Sequence, residues 1–166
     1  GNAQVRGRLA QVLMQTGDAS GAETLLGAGA EQQPENPLWP QMLGQLASQT
    51  GRSDEALAQA GKAFELGKSP ESLLRYAGLL VDADRAGEAE TLLRENIELV
   101  NAEPVLQGAR GVALAKSDRA DEAREVFSKA VARAATPQQV SMIARQMVQG
   151  LGLDATIAAL PATPEG

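Results

Sequence analysis

The sequence repeats itself with a period of 33 or 34 residues, and this period constrains the fold more than any other feature. A turn residue, a short polar stretch and an alanine recur in four segments, and these alanines lie 34, 33 and 34 residues apart. The alanines are Ala22, Ala56, Ala89 and Ala123. Two other markers keep the same register, a small residue twelve positions before each alanine and a proline after each segment. The small residues are Ala10, Gly44, Ala77 and Gly111, and the prolines are Pro37, Pro70, Pro104 and Pro137.

Each repeat predicts two helices joined by a turn. Proline fits the first turn of a helix because the N–H at that position has no intrahelical partner. Apolar residues follow at helical spacing, as in Leu73, Ala77 and Leu80 of the third repeat. The predicted pairs are about 3–16 with 19–31, 37–50 with 53–67, 70–83 with 86–100, and 104–117 with 120–134. An irregular fifth pair is predicted at about 137–149 and 154–160.

The repeats predict one helical domain over residues 1–160. Its repeats span about residues 3–36, 37–69, 70–103 and 104–136, with a partial fifth over 137–160. Residues 161–166 contain two prolines and a terminal glycine, and this composition predicts a flexible tail or linker.

Several of these residues match a known repeat pattern. Leu43-Gly44 and Ala56 match in the second repeat, and Gly111, Ala123 and Phe127 match in the fourth. The period and these residues resemble the tetratricopeptide repeat family, in its bacterial type, over about residues 3–149. Trp39 departs from the pattern, because it lies one position before the usual tryptophan position, which Pro40 occupies. The resemblance implies an all-α fold, a right-handed α-solenoid of antiparallel helix pairs.

The resemblance also implies a concave groove lined by the first helix of each pair. Glutamine side chains, which donate to and accept from a peptide backbone, dominate its N-terminal part. Apolar side chains able to hold a helix or an extended chain dominate its C-terminal part. The candidate groove residues are Gln11, Gln41, Gln45, Leu74, Val81, Val105, Val112 and Arg145. The alternative is that these residues only face solvent or pack against neighbouring helices.

Composition argues against several other functions. The net charge of −6, from 15 basic and 21 acidic residues, disfavours binding to nucleic acid. No stretch approaches the roughly 20 apolar residues that insert into a membrane. Histidine and cysteine are absent, so the usual general base, the commonest metal ligand and thiol chemistry are missing. Carboxylate pairs such as Asp121 and Glu122 fall at predicted helix starts, where their negative charge interacts favourably with the helix dipole. We therefore expect no enzyme activity, no cofactor and no metal.

Three functional hypotheses follow. The first is a protein-interaction scaffold that holds a peptide or protein segment in the groove, within a larger bacterial assembly, secretion or envelope-export protein. The second is a structural spacer or a self-associating repeat array. The third is the accessory repeat region of a thioredoxin-like or other enzyme absent from this chain. The compartment stays open between the bacterial cytoplasm and the periplasm.

Overall fold

The structure, a computed structural model, describes residues 2–159, and these form eleven helices and no strand. The helices are α1 (Ala3–Gln15), α2 (Ala19–Gln32), α3 (Leu38–Gln49), α4 (Ser53–Gly67), α5 (Pro70–Asp82), α6 (Ala86–Glu95), α7 (Ile97–Ala102), α8 (Pro104–Ala115), α9 (Ala120–Arg133), α10 (Pro137–Leu151) and α11 (Leu153–Ala159). The prediction of an all-α fold built from helix pairs is confirmed. The tail predicted at residues 161–166 lies outside the described residues.

The turns inside the first four pairs share one backbone conformation. Gly17, Gly51, Asp84 and Asp118 have φ values of 85°, 74°, 57° and 60°. Glycine enters this left-handed region without steric cost, and aspartate enters it more readily than most residues. Gly17, Gly51 and Asp118 reverse the chain so that α1 packs against α2, α3 against α4 and α8 against α9.

The described residues divide into two compact units, an N-terminal unit that ends at Leu79 and a C-terminal unit that begins at Leu80. The boundary falls inside α5. The N-terminal unit has a core of Ala10, Ala22, Leu26, Trp39, Met42 and Leu46. Trp39 is 1% exposed, and a Cβ built on Gly29 would lie 2.8 Å from its Cε3 atom. Trp39 therefore packs α3 onto α2.

The core of the C-terminal unit is centred on α8, α9 and α10. Its buried residues are Val112, Leu114, Ala123, Phe127, Ala130, Ile143 and Met147. Phe127 and Ile143 are fully buried, so α10 covers apolar surface of both α8 and α9. The fifth, irregular repeat thus belongs to the same core as the fourth.

One predicted helix is broken. The prediction gave a single helix over residues 86–100, but α6 ends at Glu95 and α7 begins at Ile97. Asn96 lies between them with φ −110° and ψ 37°, and its Nδ2 atom donates a hydrogen bond to the Leu92 carbonyl over 2.8 Å. An asparagine side chain that bonds to the local backbone competes with the helical hydrogen bonds, which accounts for the break.

Candidate functional site

A cleft lies between α1 and α3 in the N-terminal unit. Its volume is about 290 Å³, and it is lined by Gln4, Gly7, Arg8, Gln11, Leu38 and Met42. The α1 residues are spaced three and four positions apart, so they share one face of that helix, and the two α3 residues are four apart. The cleft is therefore formed by the first helices of two successive repeats.

The floor of the cleft is apolar. Gly7 is buried, and a Cβ built on it would lie 3.2 Å from the Met42 Sδ atom and 3.4 Å from Leu38 Cδ2. The missing side chain lets α1 approach α3 and leaves these two side chains at the base of the cleft. Methionine has three rotatable bonds and adapts to irregular partners. The floor can therefore receive apolar side chains of more than one shape.

The rim of the cleft is polar and positively charged. Gln4, Arg8 and Gln11 are exposed, and the Arg8 guanidinium has no ion pair or hydrogen bond with any other residue in 2–159. α1 carries two arginines and no acidic residue, and α3 carries no charged residue at all. A guanidinium binds carboxylates in a bidentate manner, and glutamine amides pair with peptide groups. The cleft thus combines positive charge and amide groups above an apolar floor, in a chain whose net charge is −6.

The structure places four of the sequence-predicted residues in the N-terminal unit. Gln11 lines the cleft. Gln41 is exposed and Gln45 half-buried on α3, and Leu74 is half-buried on α5. Only Gln11 is brought together with other polar and apolar groups that could hold a ligand.

The other four predicted residues belong to the C-terminal unit. Val81 is half-buried and packs against the core of this unit. Val105 is also half-buried, and its carbonyl accepts a hydrogen bond from Gln146 Nε2 over 3.1 Å. Arg145 is exposed on α10, whereas Val112 is 3% exposed and lies inside the core. A Cβ built on Gly150 would lie 3.4 Å from Val112 Cα, so α10 lies against Val112 and hides it from solvent.

Sequence reasoning did not include Arg8 and Met42 among the candidate site residues. Both could have been found from helical spacing, because Arg8 follows Gln4 by four positions and Met42 follows Leu38 by four. The sequence alone does not show that these two helical faces meet, and that meeting is what forms the cleft.

The described part of the chain lacks the features of a metal site and of a membrane span. It contains no cluster of three or more acidic, histidine or cysteine residues that could hold a metal ion. None of its helices combines the length and apolar character needed to cross a membrane. A second recess of about 230 Å³ lies at the break between α6 and α7, lined by residues 95–99. A single short stretch of chain forms this recess, so it is a local consequence of the break.

Comparison with protein families agrees with the repeat found in the sequence. Two family models, each described as tetratricopeptide repeat, match the chain, one over residues 1–46 and the other over residues 42–62 and 104–128. Together they span just over half of the chain. A comparison with curated protein sequences finds no match.

Solved structures, among them two described as TPR proteins, resemble the chain along almost its whole length. A thermophilic protein of this kind from Thermus thermophilus has a TM-score of 0.66 and 20% identity, covering 94% of this chain and 87% of its own. YrrB, described as a TPR protein with an unusual peptide-binding site, has a TM-score of 0.67 and 17% identity, covering 97% and 88%. MamA (residue 41 to its end) from Desulfovibrio magneticus has a TM-score of 0.68 and 15% identity, covering 95% and 90%.

At these identities the structural likeness establishes the fold, and the family models add agreement at the level of sequence. The two observations converge on the repeat that the spacing of Ala22, Ala56, Ala89 and Ala123 predicted. The chain belongs to the tetratricopeptide repeat family.

Proposed function

We propose that this chain is a protein-interaction scaffold that binds a peptide or protein segment in the cleft between α1 and α3. The supporting observation is the combination of an apolar floor, Leu38 and Met42, with a rim of Gln4, Arg8 and Gln11. Recognition of an extended segment needs backbone hydrogen bonds together with a pocket for side chains, and this cleft offers both. The peptide-binding site named for YrrB, a protein of similar fold, supports the same function.

The chemistry of the cleft favours a particular class of segment. An apolar side chain of the partner would enter toward Met42 and Leu38, and a neighbouring carboxylate would pair with Arg8. No acidic residue on α1 or α3 competes for the Arg8 guanidinium. The favoured partner is therefore an acidic segment with an apolar anchor. The exposed Gln41 and Arg145 are proposed as further partner contacts in the N-terminal and C-terminal units.

We also propose that the chain acts by binding alone, without catalysis, as part of a larger bacterial assembly, secretion or envelope-export protein. The matching family models describe a tetratricopeptide repeat, and the chain has neither histidine nor cysteine. Nucleic acid is not a proposed partner, because the overall charge is negative.

The test is selection of binders from a random-peptide phage library on the purified chain, followed by fluorescence anisotropy with the selected peptides. Native protein should select peptides that carry Asp or Glu beside a large apolar residue. Arg8→Glu should weaken their binding by about tenfold or more, because attraction to the peptide carboxylate becomes repulsion. Arg133→Glu, at an exposed arginine of α9, is the matched control and should bind as the native chain does. No acidic enrichment, or equal binding by the Arg8 variant, would contradict the proposal.

A further inference from the structure

The chain contains four methionines and no cysteine, so methionine supplies its only oxidisable sulfur atoms. Met147 is 1% exposed in the core of the C-terminal unit, Met14 is half-buried against the core of the N-terminal unit, and Met142 is 43% exposed. Met42, at 9% exposed, is the one methionine among the four that lines the cleft between α1 and α3. One oxidisable sulfur therefore lies inside the site proposed for partner binding.

The sulfur atom of Met42 faces α1. A Cβ built on Gly7 would lie 3.2 Å from Met42 Sδ, which would be its nearest neighbour outside α1. Gly7 lines the same cleft and carries no side chain that could cover the sulfur. A small oxidant such as hydrogen peroxide can therefore reach Sδ through the open cleft.

Packing alone does not require methionine at this position. The other floor residue is Leu38, and leucine usually replaces methionine at little cost in stability because the two have similar volumes. Methionine differs from leucine in its flexibility and in the reactivity of its sulfur. The floor of the cleft is thus built from one residue that peroxide leaves unchanged and one that it modifies.

We propose that Met42 is an oxidation site that switches off partner binding in the cleft, an inference that rests on the proposed function. A lone pair of Sδ attacks one oxygen of hydrogen peroxide, the O–O bond breaks, and the sulfur loses two electrons as the S–O bond forms. The departing hydroxide takes the proton of the new S–OH group and leaves as water, so the products are methionine sulfoxide and water. Methionine sulfoxide reductases remove the added oxygen, which makes the change reversible.

The added oxygen acts on both parts of the recognition. It makes the floor polar, so an apolar side chain of the partner would bury a polar group when it enters. The sulfoxide oxygen also accepts hydrogen bonds, and Arg8 lines the same cleft with a guanidinium that has no partner within residues 2–159. A hydrogen bond from Arg8 to the sulfoxide would occupy donors that are proposed to bind the partner's carboxylate. Oxidation should therefore weaken peptide binding by about tenfold or more.

The experiment treats the purified chain with dilute hydrogen peroxide, follows each methionine by peptide mass spectrometry, and measures the affinity of the selected acidic peptides by fluorescence anisotropy. Met142 should oxidise first, Met42 next and Met147 last, in the order of their exposure. The affinity should fall in step with the oxidation of Met42, and treatment with methionine sulfoxide reductases should restore it. Circular dichroism should show that the oxidised chain keeps its helices.

Two variants separate the methionines. Met142→Leu, at an exposed position outside the cleft, should bind as the native chain does and lose affinity to the same extent on oxidation. Met42→Leu is compared with itself before and after peroxide, and its affinity should not change even though its other methionines oxidise. A bound peptide covers the floor of the cleft, so it should slow the oxidation of Met42 several-fold and leave the rate at Met142 unchanged.

Three results would overturn the switch. They are peptide binding that survives complete oxidation of Met42, an equal loss of affinity in oxidised Met42→Leu, and oxidation of Met42 that is no faster than that of Met147. The proposed function fails in a different way, because the unoxidised native chain would then select no acidic peptide, and the switch would fail with it.

Discussion

Gly111 of α8 lies directly against the ring of Phe127 in α9. A Cβ built on Gly111 would come within 2.7 Å of Phe127 Cε1 and 2.8 Å of Cζ, closer than carbon atoms approach without displacement. Phe127 is fully buried, so its ring cannot turn away into solvent. The absence of a side chain at Gly111 is therefore what allows these two helices to pack together.

Gly111→Ala should destabilise the protein by about 1–3 kcal/mol, because the added methyl forces Phe127 or α9 to shift. Urea unfolding followed by circular dichroism measures this change. Gly78→Ala is the matched control, since Gly78 is an exposed helical glycine with no atom within 4 Å of a built Cβ. It should gain about 0.5–1 kcal/mol from the better helix propensity of alanine. Equal stability of the Gly111 variant and the native chain would refute the close packing.

The sequence predicted the helix pairs well because their markers are local and recur. The four marker alanines are fully buried, as expected for positions where helices meet. The break at Asn96 was not predicted, because the apolar pattern continues across it and only a side-chain hydrogen bond ends the helix. Periodicity reports which residues share a face, whereas such a bond depends on one rotamer.

The candidate site was less predictable, as Gln11 and Val112 illustrate. Both were assigned to the inward face of a first helix by the resemblance to the family. Gln11 does line an open cleft, whereas α10 lies against Val112 and buries it. The face of a helix follows from its own sequence, but its exposure depends on how closely the next helix approaches.

Val112→Arg should unfold the C-terminal unit or destabilise it by about 3–5 kcal/mol, because it places an unpaired charge in the core. Thermal unfolding followed by circular dichroism measures this effect. Arg145→Glu, at the exposed candidate residue on α10, should leave the melting temperature nearly unchanged. If Val112→Arg melted like the native chain, Val112 would have to be accessible, and the groove prediction for it would be restored.

Glu90→Gln should cost about 1.5–3 kcal/mol, the usual contribution of a hydrogen bond to a charged group. The Glu90 side chain is 8% exposed and lies 3.4 Å from Arg110 and 3.8 Å from Arg119. Water therefore solvates its charge poorly, and the two arginines stabilise it instead. Urea unfolding at neutral pH measures the loss. The control is Glu122→Gln, whose exposed carboxylate bonds to Arg119 over 2.7 Å and should contribute little. Similar losses from both variants would show that burial of Glu90 is unimportant.

Acid should weaken two exposed ion pairs at helix starts. Hydrogen bonds from Arg85 and Arg119 lower the pKa values of Glu88 and Glu122 below the usual 4.5. A lowered pKa in the folded state means that the stabilisation is complete above pH 4.5 and is lost as the pH falls through the folded-state pKa. The melting temperature of Glu88→Gln/Glu122→Gln should therefore depend less on pH below 4.5 than that of the native chain. Because both pairs are exposed, about 1 M salt should reduce the difference. Identical pH profiles at low salt would contradict the assignment.

Gly29→Ala should disturb the contact that packs α3 onto α2. A Cβ at Gly29 would lie 2.8 Å from Trp39 Cε3 and 2.9 Å from Cδ2, and the buried indole cannot move outward without opening the core. Overpacking of this kind costs about 1–3 kcal/mol. Trp39 is the only tryptophan, so its fluorescence reports this contact alone. The emission should shift to longer wavelength, and the urea midpoint should fall.

Gly27→Ala, in the same helix with no atom within 4 Å of a built Cβ, should keep the native emission and unfold at slightly higher urea. Native emission and midpoint in both variants would show that Trp39 does not depend on the small residue at Gly29.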